Sequence, residues 1–308
     1  MGKSNKQHMT IHWKHIVQDD DSVPSVDATL KEKATLVGRI GQMMLSVGTG
    51  AWRVRNSMNT VAKVLGISCT ADIGLLSIEF TCYEENGTYT HSISLPTTGV
   101  NTHKLMELEH FMQGFPEHAA QYSVKQIHLL LDEIQKKPAN YKAWNLGLAS
   151  AIACCAFTFL LGGGPMEMIC AFFGAGVGNF VRKLMLERKI SLVGNVAVSV
   201  AASCCVYVLT ILAAQHLFHV SEVHQAGYIC AMLFVIPGFP LITGGIDLAK
   251  LDLRSGLERI TYALLIILTA TMTGWVTALV FRFQPADFPD LQIDTPLLIV
   301  LRIVTSFF

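Results

Sequence analysis

From residue 143 onward the chain passes through five stretches free of Asp, Glu, Lys and Arg. They hold 24 residues from Ala143 to Met166, 14 from Met168 to Val181, 32 from Ile190 to Ser221, 24 from Val223 to Ile246 and 22 from Ile260 to Phe281. Crossing a bilayer takes about 20 apolar residues at about 1.5 Å each, so four runs are long enough. The 14-residue run spans only by adding Pro165 and Met166. The reading is an α-helical polytopic membrane domain of five transmembrane helices at 143–283. Of the 46 charges in the chain, 28 lie in residues 1–142, half of them basic and half acidic. A total of 15% charged residues, against about 25% in a soluble protein, agrees with membrane residence. Equal numbers of basic and acidic residues give no field for nucleic acid.

Basic residues sit on alternate connections: Lys136, Lys137 and Lys142; then Arg182, Lys183, Arg188 and Lys189; then Lys250, Arg254 and Arg259. Leu161–Glu167 and Gln215–Gln225 have none. Cytoplasmic loops are the basic ones. This predicts a plasma (inner) membrane protein with a cytoplasmic N-terminal region and an extracytoplasmic C-terminus. The first 30 residues lack the apolar segment of a cleavable signal.

Residues 1–26 read as a mobile tail, and 27–140 as a cytoplasmic α+β domain. Leu36, Val37, Ile40, Met44 and Val47 recur at helical spacing, as do Val54, Met58, Val61, Ala62 and Leu65, which Gly66 closes. Leu76, Ile78, Phe80 and Cys82 alternate with polar residues, as do His91, Ile93 and Leu95, and Asn86-Gly87 predicts a type I′ hairpin turn between them. Asn101 caps a third predicted helix, and Ser123 with Gln126 makes a capping box for a fourth. No phosphate loop, GxSxG or HExxH occurs, so the reading is not an enzyme, with no catalytic residue, cofactor or metal. The eight cysteines include no CxxC and read as small buried thiols. His216, His219 and His224 with Glu222 form a solvent-titrating outer loop rather than a metal site, and His8, His12 and His15 lie in the tail. Residues 284–308 form an extracytoplasmic segment, with a short interfacial helix from Asp294-Thr295-Pro296 onward.

The candidate substrate path centres on Ile236-Pro237-Gly238-Phe239-Pro240, about 16 Å into the fourth span at the helical rise. Two prolines remove backbone donors and crowd the preceding turn, so the helix should break and expose carbonyls around Phe234 to Ile236. Transporters use such breaks to present backbone dipoles to a polar solute. A plain packed kink is the simpler account for one proline; two with an intervening glycine favour function. Thr243 lies one turn on. Asp247 follows near the cytoplasmic end, as a gating carboxylate or an interfacial anchor, with Asn179, Arg182 and Asn195 as prospective partners. Glu167 reads as a solvated loop residue. Gly174 and Gly178 in the second span offer a close-packing face for another helix, within the subunit or from a partner.

Together, the cytoplasmic domain, the segment Gly48-Thr49-Gly50-Ala51-Trp52-Arg53-Val54 running to Leu65-Gly66, the five spans and Pro237-Gly238-Phe239-Pro240-Leu241 ending in Asp247 resemble the threonine/serine exporter family. The resemblance covers residues 30–283 and matches the larger N-terminal component of the split, two-subunit type. It implies secondary export of a threonine- or serine-like amino acid, or of a dicarboxylate such as succinate. It also implies a small membrane-protein partner subunit; a homo-oligomer is the alternative. Gly48 and Arg53 match the family's cytoplasmic motif. Many members have an acidic residue where this chain has Gly50, so any role of that carboxylate is absent or moved. The rival reading is a membrane-anchored structural or regulatory subunit whose cytoplasmic domain binds a partner. A membrane hydrolase is disfavoured for want of a nucleophile and base.

Overall fold

A computed structural model describes residues 23–85, 87–137, 141–188, 190–218, 227–283 and 295–305. His8, His12, His15, Asn86, His219, Glu222 and His224 lie outside the described residues. These fall into two compact units that do not follow chain order: one within Met1–Pro138 and Gly238–Tyr262, the other within Ala139–Pro237 and Ala263–Phe308.

The first unit begins with a 3-10 turn at Ser25–Asp27, then α1 (Leu30–Ser46) and α2 (Ala51–Val64). A Thr29/Glu32 capping box starts α1. Gly48, at φ 90°, and Gly66, at φ 72°, provide the left-handed turns that end the two helices. After α2, Gly66 N–H donates to Lys63 O and Ile67 N–H to Ala62 O, the paired bonds of a Schellman cap. Three antiparallel strands follow: β1 (Ser68–Ile73), β2 (Ser77–Glu84) and β3 (Gly87–Ser94), in the order β1-β2-β3. Glu84 pairs with Gly87, so Gly87 opens β3 instead of forming the turn expected of it. The first strand went unread because Ser-Cys-Thr-Ala-Asp-Ile buries only its last residue. Helix α1 lies close on this sheet, since a Cβ at Gly38 would fall 2.6 Å from the Phe80 ring.

Helices α3 (Thr102–Gln113), α4 (Phe115–Gln121) and α5 (Val124–Lys136) complete the N-terminal part. Asn101 accepts from the Lys104 N–H, and Ser123 with Gln126 forms the expected box. One core joins Leu36, Ile40 and Met44 of α1 to Met58, Ile78, Phe80, Phe115 and Leu131. Within it a polar thread runs from α1 to α5. Thr35 Oγ donates to Glu32 O, leaving its lone pair for His128 Nε2 at 3.0 Å, while Arg39 donates to His128 Nδ1 at 2.9 Å and also pairs with Asp132. Imidazole held as the Nε2–H tautomer cannot take a second proton without opposing the guanidinium. Burial first, and the Arg39 charge second, push His128 down to about 3.

The unfolded chain therefore binds a proton below about 6.5 that the folded chain refuses until about 3. This stability contribution is complete above pH 6.5 and drains as pH falls toward 3. We expect the first unit to lose about 2 kcal/mol between pH 8 and pH 5 from this residue. Urea titration of the protein in mild detergent at both pH values reads the difference, and His128→Gln should flatten it.

In the second unit lie α6 (Ala143–Leu160), α7 (Pro165–Glu187), α8 (Leu192–Phe218), the one-turn α9 (Gly227–Ala231) and α12 (Thr295–Thr305). Two helices remain: α10 (Gly238–Ala249) in the first unit and α11 (Leu253–Val280), which begins in the first and ends in the second. Four helices, α6, α7, α8 and α11, are long and apolar enough to cross a membrane, and the interrupted pair around Pro237 makes a fifth if counted as one span. Their outward residues, among them Leu148, Phe173, Leu209, Leu264, Leu268 and Val276, are apolar and exposed, as lipid-facing side chains are. The weak element is thus the fourth span, not the second. Helix α7 reaches 23 residues because Pro165, preset for a first helical position, starts it.

That start moves Glu167 out of the solvated loop where the sequence placed it. The residue lies in the first turn of α7 and is fully buried. A Cβ at Gly227 would fall 2.9 Å from Glu167 Cβ and 2.6 Å from the Tyr207 hydroxyl, so the carboxylate stem and Tyr207 meet beneath that glycine. The Gly174 and Gly178 face is filled from within the chain, the first of the two packings expected of it. A Cβ at Gly174 would meet Ser203 O at 3.0 Å, and one at Gly178 would meet the Phe234 ring and Ser203 Cβ at 2.7 Å. Gly178→Ala should therefore lower stability by about 1–3 kcal/mol through overpacking, read by urea titration in detergent.

Candidate functional site

The helix of the fourth span stops where the prolines sit. After α9 the chain makes a 3-10 turn at Leu233–Val235, Ile236 turns extended at φ −56° and ψ 121°, and α10 starts at Gly238. Pro237 occupies the break. Pro240 does not: it stands in the first turn of α10, where its missing N–H has no intrahelical acceptor to forfeit. Two carbonyls released by the interruption find side-chain donors. Arg182 Nη1 donates to Phe234 O at 3.1 Å and Ser203 Oγ to Ala231 O at 2.8 Å. Asn195 Nδ2 in turn donates to Arg182 O at 3.1 Å, and Asn179 Nδ2 reaches Leu146 O and Ser150 Oγ on α6. The asparagines and Arg182 thus tie helices of the second unit together.

In the first unit, α10 and α11 form a tight antiparallel pair joined by a short turn. Leu251 adopts φ 63°, and Asp252 N–H reaches back to Asp247 O. Gly244 and Gly256 let the helices touch, since a Cβ on Gly256 would lie 3.0 Å from Gly244 O and 2.7 Å from the Leu248 side chain. This approach places Asp247 against Arg259 at 3.1 Å, with both side chains almost wholly buried. Ser255 Oγ donates to Asp247 Oδ2 at 2.9 Å, and the Ala51 N–H donates to Oδ1 at 3.1 Å. The Arg259 guanidinium also donates to Gly48 O at 3.3 Å and Thr49 O at 2.6 Å, and reaches Thr243 Oγ at 3.5 Å.

Every polar atom of this cluster has a matching one. Gly48 and Thr49 turn their carbonyls to the arginine, and the first N–H of α2, with the positive end of the helix dipole, faces the carboxylate. Gly50 is required by contact: its Cβ would stand 2.9 Å from Asp247 Oδ1. Around the rim, Lys250 Nζ lies 3.8 Å above the Trp52 ring, Arg55 pairs with Asp252 at 2.8 Å and Glu258 accepts from the Leu75 N–H.

Among the residues singled out in the sequence, Gly48, Thr243 and Asp247 come together here. Arg53 stays outside, half exposed and 3.4 Å from Glu109. Arg259 and Ser255 were missed, Arg259 having counted only as an orientation marker. The available signal was a carboxylate and an arginine on either side of a short Lys-Leu-Asp turn, the first lying two residues after Gly245 and the second three after Gly256. Among the described residues no group of three His, Cys, Asp or Glu side chains is placed to hold a metal ion, and all eight cysteines are free thiols.

Four long apolar helices with lipid-type outer faces, an apolar helix pair bent at Pro237 and an ion pair buried near the end of α10 are those of a multi-pass membrane protein of transporter type. The threonine/serine exporter (ThrE) family pattern matches residues 35–282, and the chain belongs to that family. It is a membrane exporter or transporter subunit. Among curated proteins it is 25% identical over 240 residues to the "Probable succinate transporter subunit YjjP" of Escherichia coli, covering 78% of this chain and 90% of that one. The protein of the same name in Klebsiella aerogenes is 25% identical over 244 residues, 77% of this chain and 88% of that one. "Pheromone-regulated membrane protein 10" of Debaryomyces hansenii is 23% identical over 270 residues, 81% of this chain but 25% of that one. No solved structure matches the chain significantly.

Proposed function

We propose that this chain is one subunit of a secondary exporter for a small polar metabolite, a threonine- or serine-like amino acid or a dicarboxylate such as succinate. The path runs by the broken fourth span. Pro237, Gly238 and Phe239 form its interruption, Pro240 and Thr243 the first turns beyond it, and Asp247 the inner gate. Asn179 and Asn195 line the neighbouring helices. The observation that carries this reading is the interruption at Ile236-Pro237, which opens the backbone of a membrane helix and is followed three turns later by a buried carboxylate. Family membership and the naming of two relatives as transporter subunits support it. Residues 27–140 face the cytoplasm across an inner membrane, 284–308 lie outside, and a small membrane protein completes the exporter.

Labelled threonine, serine and succinate should leave proteoliposomes containing the chain with its co-purified partner, and stay inside those lacking it. Retention of all three by the complete assembly would favour a regulatory subunit instead. Single cysteines at 137 and 254 should resist an impermeant reagent in intact cells, while those at 219 and 290 react. Labelling at 137 would reverse the proposed orientation.

A further inference from the structure

The three groups that hold the Asp247 carboxylate come from elements other than its own. Ala51 N–H, which donates to it, belongs to α2, while Ser255 Oγ, which donates to it, and the Arg259 guanidinium, which pairs with it by charge, belong to α11. Only the acceptor is on α10, a 12-residue helix whose other end follows the interruption at Ile236-Pro237. The donor cup is also braced without Asp247. Arg259 remains fixed by Thr49 O at 2.6 Å and Gly48 O at 3.3 Å, its Nε reaches Ser255 Oγ at 3.1 Å, and Ala51 N–H is the fixed first donor of a 14-residue helix. Gly50 adds no side chain of its own beside the carboxylate, where a Cβ would stand 2.9 Å from Asp247 Oδ1 and 3.2 Å from the Trp52 ring.

A guanidinium, a hydroxyl and a helix-terminal N–H converging on two oxygens form a carboxylate receptor. We propose that Arg259, with Ser255 and Ala51 N–H, binds the carboxylate of the exported solute, and that Asp247 is the internal carboxylate it displaces when α10 moves. This rests on the export reading and names what its substrates share: a free carboxylate, whatever the remainder of the molecule. Asp247 serves as a plug. It keeps Arg259 neutralised while no solute is present, so the cup is never a bare buried cation, and the solute replaces it group for group.

Competition binding to the purified full-length protein in detergent provides the test, with labelled succinate and labelled threonine as probes. Succinate, threonine and serine should compete, whereas succinamide and threoninamide, similar in shape but lacking the carboxylate, should be at least about tenfold weaker. Asp247→Asn removes the internal competitor and should tighten succinate binding, while Arg259→Gln weakens it about tenfold or more. The amide comparison uses the unaltered protein, so it stands even if a variant misfolds. Equal competition by acids and amides, or a loss in Asp247→Asn matching that in Arg259→Gln, would overturn the proposal. The two readings separate cleanly: if the complete assembly moves none of the acids, export fails; if it moves acids and amides alike, export stands and the carboxylate receptor falls.

Discussion

Arg259→Gln should cost about 3–5 kcal/mol of stability and abolish transport, the largest single effect expected in this protein. The stability loss comes less from the missing attraction than from what stays behind: Asp247, wholly buried, would keep its charge against only one N–H and one hydroxyl. Gly48 O and Thr49 O would also lose their donor. Removing both charges is therefore expected to be milder than removing one. Asp247→Asn with Arg259→Gln should recover at least about 1 kcal/mol over Arg259→Gln alone. Urea titration in detergent supplies all three numbers. A double variant no more stable than the single one would mean that the two side chains are not coupled.

The second large effect belongs to Pro237. Replacing it by alanine returns a backbone donor to the interrupted segment and lets α9 run on toward α10. Expression and thermal stability should hold or improve, while flux falls by about tenfold or more. Flux through Pro237→Ala vesicles equal to the original would remove the break from the transport path.

The elements legible in the sequence were those set by neighbours in the chain. Absence of charge marked the spans, Ser123 with Gln126 and Asn101 marked helix starts, Gly66 an end and Pro237 a break. The starts, ends and breaks act within about four residues, the spans within single runs of about 20. Strand β1 was lost because it alternates only small side chains, Cys69 and Ala71, before the buried Ile73, and α4 because seven residues between Gly114 and Tyr122 are too short to show a period. Glu167 was misread because its burial is set by Gly227 and Tyr207, far off in the chain. The site was half visible. Asp247 stood out as a carboxylate beside an apolar run, but its pairing with Arg259 depends on the contact of Gly244 with Gly256 and on the left-handed Leu251, and its bond to Ala51 on a chain 196 positions away. Arg53 shows the converse: a motif position on a surface face, while the arginine that binds the Gly48-Thr49 turn comes from the other end of the molecule.

That separation governs the order in which the protein can be made. Synthesis delivers α1 to α5 first, and the start of α2 leaves the ribosome with the Ala51 N–H and the carbonyls of Gly48 and Thr49 still lacking Asp247 and Arg259. Their partners lie 196 to 211 positions downstream, beyond three complete membrane helices. The N-terminal unit emerges early but closes late, once the membrane segments up to α11 have been inserted. A nascent chain halted before residue 259 has an open cup where the finished protein has a sealed one, so the Gly48-Thr49-Gly50 turn stays unpaired until α11 begins.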